Sequence, residues 1–141
     1  MTDVFAITGI PEEPRRRTQV TLQVTTLLGL SQAELARILG LQCPQIGRLA
    51  SGREVLVPGT VPWRQAGMLL RGYQALYRWT GGDGAAMRHW LRVHRQALAG
   101  TPHLLMVDEG RLAEVVAYLE RQLAPPRCGW QGPDAGCGEP V

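Results

Sequence analysis

The sequence predicts an all-α fold, with an N-terminal helix-turn-helix bundle joined to a small C-terminal helical domain. Three observations carry this prediction. Apolar residues recur at i, i+3, i+4 and i+7 through most of the chain. Ser31, Thr101, Asp83 and Asp108 each stand just before a periodic stretch, where a helix N-cap is wanted. Clusters of glycine and proline, in residues 51–62, at T-G-G-D-G and after Leu123, separate these stretches.

The elements follow in chain order. Residues 1–14 read as a loose arm. In residues 18–28, Val20, Val24, Leu27 and Leu28 repeat at helical spacing, while V-T-L-Q-V-T alternates as a strand would. A helix is predicted, because the next element needs a helical neighbour. Ser31 opens a clear helix, with Glu34 placed to complete a capping box and Leu35, Ile38 and Leu39 as the buried stripe. Gly40 ends it. A second helix is expected over residues 43–50, with Pro44 in its first turn and Ile46, Leu49 and Ala50 buried. Residues 51–62 read as a linker broken by Gly52, Pro58, Gly59 and Pro62. A longer helix, 63–79, presents Ala66, Leu69, Leu70, Tyr73, Leu76 and Tyr77 on its apolar face. T-G-G-D-G breaks it, and Asp83 caps a helix over 84–93. Thr101 and Pro102 begin a short helix, and Asp108 is placed to cap a last one over 109–123, in which Leu112, Val115, Val116 and Leu119 form the stripe. Pro125 and Pro126 stop it, and residues 125–141 read as a mobile tail. The expected division is 1–60, 61–124 and 125–141.

Composition narrows the function. No run approaches the ~20 apolar residues of a membrane span. The first residues place apolar side chains before arginines, the reverse of a secretion signal. A cytoplasmic, non-membrane protein is expected. All fifteen basic residues are arginine and the formal charge is +3, so every cation is a planar fork suited to phosphate, carboxylate or base edges. The absence of Lys and Asn also fits mutational bias in a genome of high G+C content. From Pro14 to Arg53 six arginines (15, 16, 17, 37, 48 and 53) face one acid, Glu34; this is the part suited to a polyanion.

Signs of catalysis are lacking. There is no P-loop, H-E-x-x-H or G-x-S-x-G. His89 and His94 are five apart and do not share a helix face, and His103 reads as structural or solvated. T-G-G-D-G lacks the preceding strand and the lysine of a phosphate loop. Cys43, Cys128 and Cys137 have no metal-ligand spacing, and a Cys128–Cys137 disulfide is not the default in a reducing compartment. No catalytic residue, metal or cofactor is expected. Trp130, in the tail, is either unstructured or an anchor for a partner groove.

The stretch "SQAELARILGLQCPQIGRLASG", residues 31–52, meets the needs of a DNA-reading helix pair. Ala36 permits a close crossing, and Leu35, Leu39, Ile46 and Leu49 pack the two helices. Gln42, Gln45 and Arg48 point outward from the second, where glutamine suits adenine and arginine suits guanine or phosphate. The candidate DNA-contacting residues are Gln32, Gln42, Pro44, Gln45, Arg48 and Arg53. The competing reading is a pair of helices that serves only packing or dimerisation. In the C-terminal half, Trp90, Leu91, Leu98, Leu104 and Leu105 surround an irregular connector, either as a small core or as a partner-binding surface.

S-Q-x-E-L-A-x-x-L-G-L (residues 31–41) and I-x-R-L-x-S-G (46–52) resemble the Xre helix-turn-helix family. Cys43-Pro44 departs from it, standing where polar residues are usual. Trp90, Leu91, Ala97, Leu98, Gly100, Thr101, Pro102, Leu104, Leu105, Gly110, Val115 and Leu119 resemble the toxin-binding domain of Xre/MbcA/ParS-type antitoxins over residues 70–121. Arg95-Gln96 replaces an Asn-Pro pair common there, and Gly100 stands alone where two glycines are frequent. The resemblance implies an antitoxin of a type II toxin-antitoxin system. Its partners would be operator DNA and a toxin with an NAD-consuming RES domain, and it would repress its own operon. It implies toxin contacts at Trp90, Leu91, Leu98, Gly100, Thr101, Pro102, Leu104 and Leu105. A homodimer is expected, since one modestly basic copy binds DNA weakly; the 63–79 helix is equally a candidate dimer element and a candidate core element. A stand-alone dimeric transcriptional regulator and a protein-binding adaptor without DNA binding remain as alternatives.

Overall fold

The computed structural model describes residues 10–123. Among these there are seven α-helices, one 3₁₀ turn and no strand. The helices are α1 (Pro14–Leu27), α2 (Gln32–Leu39), α3 (Cys43–Ala50), α4 (Val61–Thr80), α5 (Gly84–Arg92), α6 (Pro102–Val107) and α7 (Leu112–Leu123), with the 3₁₀ turn at Gln96–Leu98. None is long and apolar enough to cross a membrane. The first nine residues of the expected arm, the tail with Trp130, and Cys128 and Cys137 lie outside the described residues.

Helix α1 begins four residues earlier than its hydrophobic period suggests. Glu13 accepts the Arg16 amide at 2.8 Å and Pro14 occupies the first turn. Thr18 and Thr25 fit a helix because their hydroxyls bond back one turn, Thr18 to the Pro14 carbonyl at 2.8 Å and Thr25 to that of Thr21 at 2.7 Å. The Thr18 hydroxyl also accepts the Leu56 amide at 2.8 Å, which ties the connector to α1.

Pro62 does not break a helix. It lies in the first turn of α4, where no intrahelical donor is needed, behind the Thr60 cap. The last helix starts at Leu112, three residues later than expected, because Gly110 takes φ +66°. Asp108 therefore caps the C-terminus of α6 rather than the N-terminus of α7. The connector after α5 is closed by Arg95 and Gly100, whose backbones exchange hydrogen bonds of 2.8 and 3.3 Å.

Helix α4 is the central strut. It packs most extensively on α7 and also contacts α1, α2 and α5. Leu69, Tyr73 and Leu76 face Leu112, Val115, Val116 and Leu119 in the core. Gly72 allows the close approach: a Cβ there would sit 3.0 Å from Val116 Cγ2. The buried side chains on the two sides of residue 60 belong to one cluster.

Candidate nucleic-acid interface

Helices α2 and α3 form as the local sequence dictates. Ser31 Oγ accepts the Glu34 amide at 3.1 Å, and Glu34 Oε1 accepts the Ser31 amide at 2.9 Å. Gly40, at φ +78°, turns the chain. Leu35, Ala36, Leu39, Ile46 and Leu49 are buried between the helices and the rest of the core. Ala50, expected inside, is exposed, because the α3 stripe ends at Leu49.

The outward face of α3 carries Cys43, Pro44, Gly47, Ala50 and the half-buried Arg48. Arg48 is the long cation on an otherwise small-residue face, which leaves the helix backbone open to close approach. Nothing lies within 4 Å of a Cβ built on Gly47. Gln32, Gln42, Pro44 and Arg53 are exposed. Gln45 is half-buried, and its Oε1 accepts the Gln42 amide at 2.9 Å, so part of its hydrogen-bonding capacity closes the helix start. Arg48 Nε donates to Glu54 Oε2 at 2.7 Å. Glu54 and Gly47 escaped sequence reasoning; Glu54 lies six residues from Arg48, a spacing without meaning until the turn at Gly52 (φ +82°) is known.

The basic stretch divides by role. Arg15, Arg16 and Arg53 are exposed and have no ion-pair partner among the described residues. Arg37 pairs with Asp108. Arg17 is buried. It donates to the Pro11 carbonyl at 2.8 Å and the Trp63 carbonyl at 2.9 Å, and stacks 3.9 Å from the Trp63 ring centroid. Burial lowers its pKa, opposed by Glu12. Arg88 and Arg92 donate to the Leu27, Leu28 and Gly29 carbonyls and cover the C-terminal end of α1.

Two side-chain contacts brace α2 from the C-terminal half. Besides Arg37–Asp108, His103 Nε2 lies 2.8 Å from Glu34 Oε2. Burial alone raises the Glu34 pKa. The Ser31 amide, His103 and the charge of Arg92 outweigh it, and the carboxyl sits below its ordinary value.

The candidate partner-contacting residues of the C-terminal half are mostly interior. Trp90, Leu91, Leu98, Pro102 and Leu105 are buried. Trp90 belongs to an aromatic cluster with Trp79 and Tyr118, at centroid distances of 5.7 and 6.3 Å. Gly100 and Thr101 are half-buried, and Leu104 is 46% exposed. A Cβ on Gly100 would lie 2.9 Å from Leu105 Cδ2, so that glycine serves packing. No cluster of three metal-ligating side chains occurs among the described residues. Comparison of the chain with family models and with curated proteins finds no match.

Proposed function

We propose that this protein is a DNA-binding antitoxin that represses its own operon, binding as a homodimer and neutralising an RES-domain toxin encoded beside it. The observation that carries the DNA-binding part is the outward face of α3: a braced second helix with Arg48 over small residues, flanked by Gln42 and Arg53. The toxin part rests on the resemblance of residues 70–121. Two copies would present two basic faces to half-sites about one helical turn (~34 Å) apart, and salt would weaken binding as phosphate contacts add up.

The test has two arms. Arg48→Ala should weaken binding to the duplex upstream of the gene at least ~5-fold, the lower range for a base contact. Equal binding by both proteins removes α3 from the role. Co-expression with the neighbouring reading frame, followed by size-exclusion chromatography, should give a complex; separate elution removes the toxin.

A second reading, a stand-alone dimeric regulator, draws support from the burial of Trp90, Leu91, Leu98, Pro102 and Leu105. If the C-terminal half only completes the core, the chain binds DNA fully and captures no neighbour.

A further inference from the structure

We propose that Glu54 is a specificity-determining residue, which holds Arg48 as a reader of guanine and suppresses its use as a phosphate anchor. This rests on the reading of α3 as the DNA-contacting helix.

The exit of α3 builds the pair. After Ala50 the chain turns through Ser51 and Gly52, and the Arg53 and Glu54 amides both donate to the Arg48 carbonyl, at 2.9 and 3.2 Å. The Ser51 hydroxyl donates to the same oxygen at 3.2 Å. Three donors on one carbonyl fold the exit loop back over its own helix. The Glu54 carboxylate is thereby brought to Arg48 Nε at 2.7 Å, with the two side chains 47% and 43% exposed.

Only one edge of the guanidinium is consumed. The two terminal nitrogens of Arg48 make no hydrogen bond to the described residues. They keep the forked donor geometry that matches guanine O6 and N7. Meanwhile the carboxylate offsets the positive charge locally. A phosphate meets a nearly neutral pair and a second anion, whereas a guanine edge, which carries no net charge, meets intact donors. The pair also restricts the rotamers of a long side chain before binding, which lowers the ordering cost on the duplex. An exposed pair of this kind adds little to folding stability, so it is separable from the fold by mutation.

The experiment compares wild type, Glu54→Gln, Arg48→Ala and the double variant. Each is titrated against the duplex upstream of its own gene and against an unrelated duplex of equal length, over a range of salt. Glu54→Gln should tighten binding to the unrelated duplex ~3- to 10-fold, as one released cation steepens the log–log salt slope by about 0.9. The preference for the upstream duplex should fall at least ~5-fold. The double variant should bind the unrelated duplex within ~2-fold of wild type and have lost that preference. An unchanged preference and salt slope in Glu54→Gln, in a protein whose wild type discriminates the two duplexes, overturns the role of Glu54 alone. A wild type that shows no preference overturns the reading of α3 and this inference with it. Thermal unfolding of each variant, expected to match wild type, separates both outcomes from misfolding.

Discussion

Replacing Gly67 with alanine should destabilise the protein only while Arg17 is present. A Cβ at position 67 would lie 2.9 Å from Arg17 Nη1, too close without movement. That nitrogen is committed to the Trp63 carbonyl at 2.9 Å, while Nε is held by the Pro11 carbonyl at 2.8 Å and the plane lies on the Trp63 ring. Displacing it forfeits a hydrogen bond from a charged donor, about 1.5–3 kcal/mol. Alanine in mid-helix returns about 1 kcal/mol over glycine. Gly67→Ala should therefore lose roughly 0.5–2 kcal/mol in wild type but gain about 1 kcal/mol in Arg17→Ala, a coupling of about 1.5–3 kcal/mol. Urea unfolding of the four proteins measures it. Equal effects of Gly67→Ala in both backgrounds, within ~0.5 kcal/mol, would refute the keystone role of Arg17. Duplex binding checks the division of the basic stretch: Arg17→Ala should leave its salt slope unchanged, while a further variant, Arg15→Ala/Arg16→Ala, should lower it.

Three further outcomes follow from the geometry. Gly47→Ala should stabilise α3 by about 0.5–1 kcal/mol in urea unfolding, since its methyl meets no neighbour, and should weaken duplex binding because the methyl stands on the approaching face; a drop in stability refutes the open-face description. Glu34 has a folded pKa below its unfolded value of about 4.3. Its contribution is present above that value and lost as pH falls through the depressed one, so Glu34→Gln should flatten the acid side of the stability profile; parallel profiles would exclude Glu34 as a source of acid sensitivity. Leu105→Asp should unfold the chain, as it places a charge at a site 1% exposed, whereas Leu104→Asp, at 46%, should fold normally by circular dichroism and break any complex with the neighbouring gene product; a folded Leu105→Asp refutes the core assignment.

What was legible in the sequence was local. The α2–α3 pair could be read because the capping box, Gly40 and the Leu35–Leu39–Ile46–Leu49 pattern act within a few residues of one another. Arg17 could not be separated from Arg15 and Arg16 by composition. It is in register with Val20, Thr21 and Val24 on the buried face of α1, and that register needed a helix starting at Pro14, announced only by Glu13 and by Pro14 itself. Glu54 was hidden because its pairing depends on a backbone reversal rather than on helical spacing. Leu104 and Leu105 are adjacent on a six-residue helix, too short for periodicity to say which faces in. The irregular connector left a small core and a partner surface both open; its Leu98 turns into the same core as α4, while Ala97 and Ala99 stay exposed.

The shared core has a practical consequence. Severed at residue 60, the amino-terminal piece would keep the α2–α3 pair but lose α4, against which both α1 and α2 lean, and the one buried cluster would be cut in two. The α2–α3 pair is thus no detachable cassette. Gene shuffling that carried it elsewhere, or an engineer grafting it onto a new effector, would have to move the carboxy-terminal helices along with it.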